Sequence, residues 1–261
     1  FCSDHGWLVA EDCIQIMGGE SYMAENEIER LWRDSRINRI VEGANEVMHQ
    51  FICNYGAKPL LESMLEIKNA PIKNMAAGAR LGAEVFLGVK RSAPKLDMVD
   101  DSLAPLANRI TTMTRELSHE FKRMAAELKE KFATDHLTQE RISHCFIKLH
   151  AMICSLSKLD LNIRNGLSGR ELQQERTIVE HLFTLFEHDI EIKRMELRNN
   201  SDETMASAAD AAFEWSKGLP NSDYAIPEST PDASARGQGK KIDQTQIPQF
   251  GKGSIFSGEE L

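Results

Sequence analysis

The sequence is poor in aromatic residues, which make up 7% of its 261 positions. It has three Trp and three Tyr but 11 Met, and Met suits the irregular packing between helices better than the pleated surface of a sheet. A β-sandwich is therefore not expected. No stretch approaches 18 consecutive apolar residues, so no segment is predicted to span a bilayer as a helix.

The sequence also lacks an excess of positive charge. Asp and Glu number 40 against 31 Lys and Arg, which gives a formal net charge of −9. This balance argues against a nucleic-acid-binding protein, because such a protein needs a concentrated basic face to neutralise phosphates.

The five cysteines are odd in number and form no CxxC pair. Most lie among apolar residues at helical spacing, where a free thiol behaves as a small hydrophobic side chain. A disulfide framework is therefore not expected, and we expect the protein to be located in a reducing compartment. The five are Cys2, Cys13, Cys53, Cys145 and Cys154.

Motifs for metals and nucleophiles are scarce as well. Glu116 and His119 form a single ExxH, whereas a di-iron centre in a helical bundle needs two such pairs and two further carboxylates. His119 and Glu120 begin an HExxH pattern, but Arg123 stands at its second ligand position. Because both metal-binding patterns are incomplete, we predict no metal site. The sequence also contains no P-loop, no GxGxxG and no nucleophile elbow.

Helical periodicity, by contrast, is strong from Asp100 onwards. Apolar residues recur every three or four positions from Leu103 to Phe132, which predicts a helix about 45 Å long. A second helix is predicted from an N-cap at Thr138 to the stop at Asn165-Gly166. A third follows a capping box of Ser168 and Glu171 and ends near Asn199, and a fourth runs from Ser201 through Trp215. Long apolar stripes joined by short turns predict an all-α, antiparallel bundle.

The N-terminal part is predicted to hold three short helices, each ending at glycine. The ends fall at Gly18-Gly19, at Gly43 and at Gly56. We therefore divide the chain into 1–57, a linker at 58–99, a bundle at 100–217 and a tail at 218–261. The tail is rich in Pro and Gly and poor in large apolar residues, so we predict that it is disordered.

The linker contains an amphipathic segment, 72–91, in which apolar residues alternate with Lys and Arg. Such a helix could lie on an anionic membrane surface or pack against its own protein. The periodicity favours the second interpretation.

Glu42 is the first candidate catalytic residue. It follows Ile40 and Val41, precedes Gly43, and lies at the junction of two predicted helices. Apolar walls would raise the pKa of its carboxyl group, because desolvation disfavours the charged form, and a glutamate so placed can act as a general base. The alternative is an ordinary exposed Glu at a helix end.

Two further patterns are ambiguous. Gly18-Gly19 after a helix could present backbone N–H groups to a phosphate or an adenine, or could simply end the helix. Basic residues repeat every three positions and could bind phosphate or form a ladder of ion pairs, which the nearby acidic residues favour. These are Arg30, Arg33, Arg36 and Arg39.

Taken together, residues 1–56 resemble the C-terminal helical domain of acyl-CoA dehydrogenases. The resemblance rests on CIQIMGG at 13–19, on Tyr22, and on ERLWRDSRINRIVEGANEV at 29–47. The segment 140–158 is similar to the extra helical domain of the very-long-chain members. The resemblance extends over roughly residues 1–217, and it implies the end of a catalytic four-helix bundle followed by an appended domain.

The resemblance implies oxidation of an acyl-CoA thioester to its trans-2-enoyl form with FAD as cofactor, in fatty acid β-oxidation. Glu42 would be the base that removes the α-proton, and Gly43 would line the thioester site. Ala44, Asn45 and Glu46 would touch the flavin, whereas Gln15, Gly18 and Gly19 would meet the FAD of the partner subunit of a homodimer. Electron-transfer flavoprotein would accept the electrons.

Two positions depart from the family pattern. Ala44 stands where the family usually has Thr, and Ser21 where it usually has Gly. Both favour an alternative function, that of a non-catalytic helical interaction or assembly protein, which the presence of Glu42 opposes.

The family's other domains are expected to precede Phe1, so residues 1–261 alone are expected to be inactive. The expected location is a bacterial cytoplasm, or the mitochondrial matrix or inner-membrane face of a eukaryote.

Overall fold

The computed structural model describes residues 1–96 and 100–216. The chain divides into two compact units, Phe1–Asp202 and Glu203–Leu261. Every element of regular secondary structure in the described residues is a helix, which confirms the all-α class. The α-helices are α1 Cys2–Met17, α2 Glu27–Ile37, α3 Asn45–Asn69, α4 Met75–Phe86, α5 Ala104–Leu128, α6 His136–Arg164, α7 Gly169–Arg198 and α8 Asp202–Ser216. The predicted tail, 218–261, lies outside the described residues.

Helices α5, α6 and α7 enclose the main hydrophobic core of the first unit. Their contacts fix the helix directions: Asn162 of α6 donates to Glu175 of α7, whereas Cys145, earlier on α6, meets the carbonyl of Ile190, later on α7. The two helices therefore run antiparallel, as the apolar stripes predicted. Side chains that are almost completely buried fill the space between the three helices, namely Leu103, Ile110, Met152, Leu156, Phe183 and Ile190.

A second cluster joins the N-terminal part to this bundle. Cys53 and Ala57 of α3 are buried against Met124 and Ala125 of α5 and Ile142 of α6. Burial of apolar surface stabilises this contact. Burial also raises the pKa of the Cys53 thiol to about 12, as expected for a cysteine that acts as a core residue.

The predicted end of the third helix at Gly56 is wrong. Helix α3 continues through Gly56 and Pro59 to Asn69. Proline removes a backbone donor inside a helix and disfavours its continuation. The packing of Cys53 and Ala57 before Pro59, and of Leu60 and Leu61 after it, holds the helix together across this position.

Other predicted boundaries also need correction. Helix α2 ends at Ile37, and residues 38–43 form turns instead of continuing the helix to Gly43. Asp135 is the N-cap of α6: its carboxylate accepts from the backbone N–H of Thr138 at 3.0 Å, which places Thr138 inside the helix. Ser168 lies at the N-cap of α7, but its side chain makes no capping hydrogen bond, so the predicted capping box does not form.

The amphipathic segment forms the short helix α4, whose polar side packs on α5. Glu84 is 5% exposed, accepts from Lys122 Nζ at 2.6 Å and pairs with Arg91. Burial alone would raise the pKa of Glu84, but the bonds from Lys122 and Arg91 outweigh it and lower that pKa. The apolar residues around α4 are exposed, up to 91% at Ile72 and 83% at Phe86. Among the described helices, none is both long and apolar enough to cross a bilayer.

Candidate active site

Glu42 lies in the turn between α2 and α3, in a conformation that side-chain-bearing residues rarely adopt. Its φ is +57°, and that of Gly43 is +114°. A left-handed backbone costs a residue other than glycine roughly 1–2 kcal/mol. Such strain persists only where the surroundings impose it, and it is concentrated at functional sites. Glycine suits position 43 because a side chain is strained at this φ, and a Cβ there would also lie in tight contact, 3.2 Å, with the sulfur of Met48.

The turn is closed by hydrogen bonds on both sides of Glu42. The backbone N–H of Asn45 donates to the carbonyl of Arg39 at 3.1 Å. One carboxylate oxygen of Asp4, on α1, accepts from Arg39 Nε at 2.7 Å and from Asn45 Nδ2 at 2.8 Å. Asn45 Nδ2 also lies 3.0 Å from the hydroxyl oxygen of Ser3. Helix α1 therefore holds the residues that precede and follow Glu42.

The charge on Asp4 is stabilised in the folded protein. Burial alone would raise the pKa of Asp4, but the hydrogen bonds from Asn45 and Arg39 and the positive charge of Arg39 outweigh it, and the pKa is lowered. Arg39 also lies over the Trp7 ring, with its guanidinium carbon 5.2 Å from the ring centroid. Asp4 thus stays an acceptor at neutral pH.

Glu42 itself is exposed in this chain, and so are its apolar neighbours Ile40 (52%) and Val41 (48%). The predicted apolar walls are therefore not supplied by the described residues. What the chain provides is a carboxylate on a constrained turn, within an apolar surface that another polypeptide or a ligand can cover.

The predicted nucleotide-facing turn follows the end of α1, as expected. Gly18 ends the helix with a φ of +68°, and a Cβ on Gly18 or Gly19 would meet nothing within 4 Å. Gln15 is exposed on the same end of the helix. The Ser21 hydroxyl is fully buried and donates to the carbonyls of Ile14 (2.9 Å) and Gly18 (2.6 Å). It therefore caps the helix end internally.

The two groups of candidate residues lie at opposite ends of α1. Asp4 contacts Asn45 near the start of the helix, whereas Gly18 follows its last turn. Fourteen residues separate Asp4 from Gly18, about 20 Å at 1.5 Å per residue. The structure thus does not bring the glycine turn together with the turn that carries Glu42.

The arginine repeat is divided between ion pairs and the Glu42 turn. Arg30 pairs with Glu27 at 3.3 Å and Arg33 with Glu29 at 3.1 Å, as the ladder interpretation predicts. Arg39 instead bonds to Asp4 of α1, 35 positions away, a role that its spacing in the repeat did not indicate.

Ala44 is the N-cap of α3 and has no side chain that can cap the helix. We expect Ala44→Thr to raise the free energy of unfolding by about 1 kcal/mol, because a hydroxyl at this position can accept from an unpaired N–H of the first turn. Urea unfolding measures the change. Ala44→Val is the matched control, since it has the shape of Thr without the hydroxyl. Equal stability of the two variants would contradict the capping explanation.

The comparisons with known proteins assign the N-terminal part to a family. Residues 1–54 match the family model described as acyl-CoA dehydrogenase, C-terminal domain. The resemblance seen in the sequence is thereby confirmed for residues 1–54. A Bacillus subtilis acyl-CoA dehydrogenase is 42% identical over 55 residues, which are 21% of this chain and 14% of that protein.

A longer similarity points to one branch of the family. The mitochondrial very long-chain specific acyl-CoA dehydrogenase of Mus musculus is 28% identical over 179 residues, and that of Homo sapiens is 29% identical over 175. Each match covers 64% of this chain, which spans about a quarter (26%) of the length of these relatives.

A solved structure shares the fold. An acyl-CoA dehydrogenase from Bacillus anthracis, complexed with FAD, matches 76% of this chain and 32% of that chain with a TM-score of 0.51. The sequence identity is 19%, so this match shows the helical fold alone.

Proposed function

We propose that this chain supplies the C-terminal part of an FAD-dependent acyl-CoA dehydrogenase that converts long-chain acyl-CoA into trans-2-enoyl-CoA in fatty acid β-oxidation. The observation that carries the proposal is the conformation of Glu42, a non-glycine residue held at a φ of +57° by hydrogen bonds on both sides of it. The match of residues 1–54 to the family domain and the similarity to very-long-chain enzymes support it.

In the proposed reaction the Glu42 carboxylate accepts the α-proton of the acyl thioester. Gly43, which lacks a side chain, lets the thioester approach the turn. Within the described residues the backbone N–H of Glu42 makes no hydrogen bond, so it is available to the thioester oxygen, where negative charge develops as the α-proton leaves. When bound, FAD accepts the hydride that leaves the β-carbon.

The residues proposed to hold FAD are Gln15, Gly18, Gly19, Ala44, Asn45 and Glu46. The glycine turn fits this role because its exposed backbone has open space at both glycines. The separation of about 20 Å between that turn and Asp4 supports contributions to two different cofactors, as in a homodimer whose subunits share their FAD sites. Ala44 contributes no hydroxyl, and the Asn45 amide is already bonded to Asp4.

The remaining partners follow from the same proposal. Electron-transfer flavoprotein is the proposed electron acceptor. The proposed location in a eukaryote is the mitochondrial matrix or its inner-membrane face, which the mitochondrial relatives support. In a bacterium it is the cytoplasm.

Residues 1–261 expressed alone are expected to bind no FAD and to oxidise no palmitoyl-CoA, because Glu42 and its apolar neighbours are exposed and the residues that the structure describes supply no opposing walls. Flavin absorbance after purification and a dye-reduction assay measure both. The control is the complete enzyme, meaning a full-length acyl-CoA dehydrogenase that contains this chain. Stoichiometric FAD and turnover in 1–261 alone would contradict this expectation.

We also propose that the segment 72–91 contacts a membrane surface. Ile72, Met75, Phe86 and Leu87 are between 73% and 91% exposed, and the basic Lys73 and Arg80 near them are exposed too. Apolar side chains next to basic ones are typical of helices that lie on anionic lipid.

Phe86→Asp is expected to weaken binding to vesicles that contain phosphatidylglycerol by about tenfold or more, since burial of a large apolar side chain contributes about 1.5–3 kcal/mol. Flotation with the vesicles measures it. Leu185→Asp, at an apolar position of α7 that is 51% exposed, is the control and is expected to bind as the unmodified protein does. Vesicle binding by Phe86→Asp equal to that of the unmodified protein would contradict the membrane proposal.

A further inference from the structure

The turn that carries Glu42 is attached to α1 at two points, one on each side of the proposed base. Arg39 lies three residues before Glu42, and Asn45 lies three residues after it. A single oxygen of the Asp4 carboxylate accepts from both side chains, at 2.7 and 2.8 Å. The backbone bond from Asn45 to Arg39 closes the turn beneath them.

We infer that Asp4, Arg39 and Asn45 form a clamp whose role is to position Glu42 for removal of the α-proton. The inference rests on the proposed function, because it concerns the placement of the same base. Asp4 touches neither Glu42 nor Gly43 in the hydrogen bonds of the described residues, so it acts on the base through the turn and is a positioning residue.

Strain in the turn explains why a clamp is needed. The left-handed conformation of Glu42 is unfavourable, and a free turn would relax towards the common right-handed or extended regions. Hydrogen bonds to a carboxylate are about twice as strong as neutral ones, and Asp4 makes two of them across the strained residues. The clamp can therefore hold a backbone that local preference does not favour.

The positions of Arg39 and Asn45, the two hydrogen-bond partners of Asp4, indicate a role for Asp4 beyond the packing of α2 on α1. Other contacts already hold α2 on α1, among them the bond from the Trp32 indole N–H to the Glu11 carboxylate. An ion pair between Asp4 and Arg39 alone would add to that packing. The bond to Asn45 is different, because Asn45 belongs to α3 and follows the base, so the clamp ties down both ends of the Glu42 turn.

The clamp also gives the side chain of Asn45 a structural role. Its amide nitrogen bonds to Asp4 and Ser3, and its amide oxygen lies 3.2 Å from the Ser3 hydroxyl oxygen. Both polar ends of the side chain are thus occupied within the chain. Asn45 is therefore placed to shape the turn.

The test uses Asp4→Asn in the complete FAD-loaded enzyme. The variant keeps the size of the side chain but removes the negative charge of the carboxylate that accepts hydrogen bonds from Arg39 and Asn45. A displacement of the base by about 1 Å can lower the rate 100-fold, so we expect kcat for palmitoyl-CoA to fall 10- to 100-fold while KM and bound FAD stay within twofold. Asp4→Glu should restore part of the loss.

A second readout isolates the proton transfer from the hydride transfer. A 3-thia-acyl-CoA has acidic α-protons and a sulfur in place of the β-carbon, so it can exchange its α-protons but cannot be dehydrogenated. Mass spectrometry in D2O follows this exchange, which we expect to slow in Asp4→Asn by the same factor as kcat. Glu27→Gln, which breaks the exposed ion pair to Arg30 (3.3 Å), is the matched control and should exchange at the unmodified rate.

Several outcomes overturn the inference. The first is a rate of exchange in Asp4→Asn that is within twofold of the unmodified rate. The second is less bound FAD and a lower melting temperature with an unchanged rate of exchange per bound FAD, because that result would indicate a purely structural role for Asp4. If Asp4→Asn does not fold, Arg39→Gln opens the clamp from the other side and is judged by the same criteria. Glu42→Gln separates the two levels of the argument: if it keeps its exchange, the proposed function fails, and if it alone loses exchange, only the clamp fails.

Discussion

Replacing Glu42 by glutamine in the complete FAD-loaded enzyme is expected to lower kcat for palmitoyl-CoA by about 10²- to 10⁴-fold, the usual contribution of a general base. An amide has the size of the carboxylate but cannot accept the α-proton. The exposed position of Glu42 in the turn means that the change removes no core contact, so bound FAD should remain stoichiometric. Steady-state turnover and the flavin-to-protein absorbance ratio measure the two quantities.

The matched control is Glu25→Gln, which makes the same chemical change at an exposed position in the loop before α2. It is expected to leave kcat unchanged. This pair of variants also distinguishes the enzyme from the alternative of a non-catalytic assembly protein. Full turnover in Glu42→Gln would place the base elsewhere, and the absence of turnover in the unmodified complete protein would favour the assembly function.

Acidification from pH 7 to pH 5 is expected to lower the free energy of unfolding by about 2 kcal/mol through His144 alone. Burial lowers the pKa of His144 from 6.5 to about 4, and the positive charges of Lys148, Lys193 and the neighbouring His49 contribute, whereas Asp189 opposes the shift. Because the pKa is lower in the folded state, the unfolded chain binds more protons below pH 6.5 and stability falls. The loss continues until the pH passes about 4.

Urea unfolding at the two pH values tests this, with His144→Gln as the variant. On acidification the free energy of unfolding should fall by about 2 kcal/mol less in the variant than in the unmodified protein, since glutamine does not titrate in this range. His181→Gln, at an exposed position of α7, is the control and should retain the full pH dependence. An identical pH slope in His144→Gln and the unmodified protein would show that His144 titrates normally.

The bundle was predictable because its signals are local and long. The apolar stripes of α5, α6 and α7 extend over 25 to 30 residues, and the stop at Asn165-Gly166 is a local feature that the structure confirms. Helix α3 was not predictable in this way. Gly56 and Pro59 indicate an end, and the helix continues because Cys53 and Ala57 are buried against α5 and α6, which are distant in the sequence.

The N-cap of α6 could not be predicted from the local sequence either. Both Asp135 and Thr138 are residue types that begin helices, and the sequence alone favoured Thr138. The structure selects Asp135, since its carboxylate accepts from the Thr138 N–H while Thr138 is buried in the first turn. Burial against the rest of the chain decided between two equivalent local signals.

At the candidate site, the sequence indicated Glu42 and Gly43 but not what holds them. Asp4 lies 35 positions before Arg39 and 41 before Asn45, so no spacing rule connects them. The lowered pKa of Asp4 and the left-handed φ of Glu42 become visible only when α1 is packed beside the turn. The walls expected around Glu42 are likewise not a property of its neighbours in sequence, because Ile40 and Val41 are themselves exposed.

A crystal structure of the complete FAD-loaded enzyme with a bound 3-thia-acyl-CoA tests the central claim most directly. If Glu42 is the base, a carboxylate oxygen of Glu42 should lie about 3–3.5 Å from the α-carbon, the distance that proton transfer requires. The turn should keep its left-handed conformation with Asp4 bonded to Arg39 and Asn45. A Glu42 side chain directed into solvent, with a different group beside the α-carbon, would contradict the account.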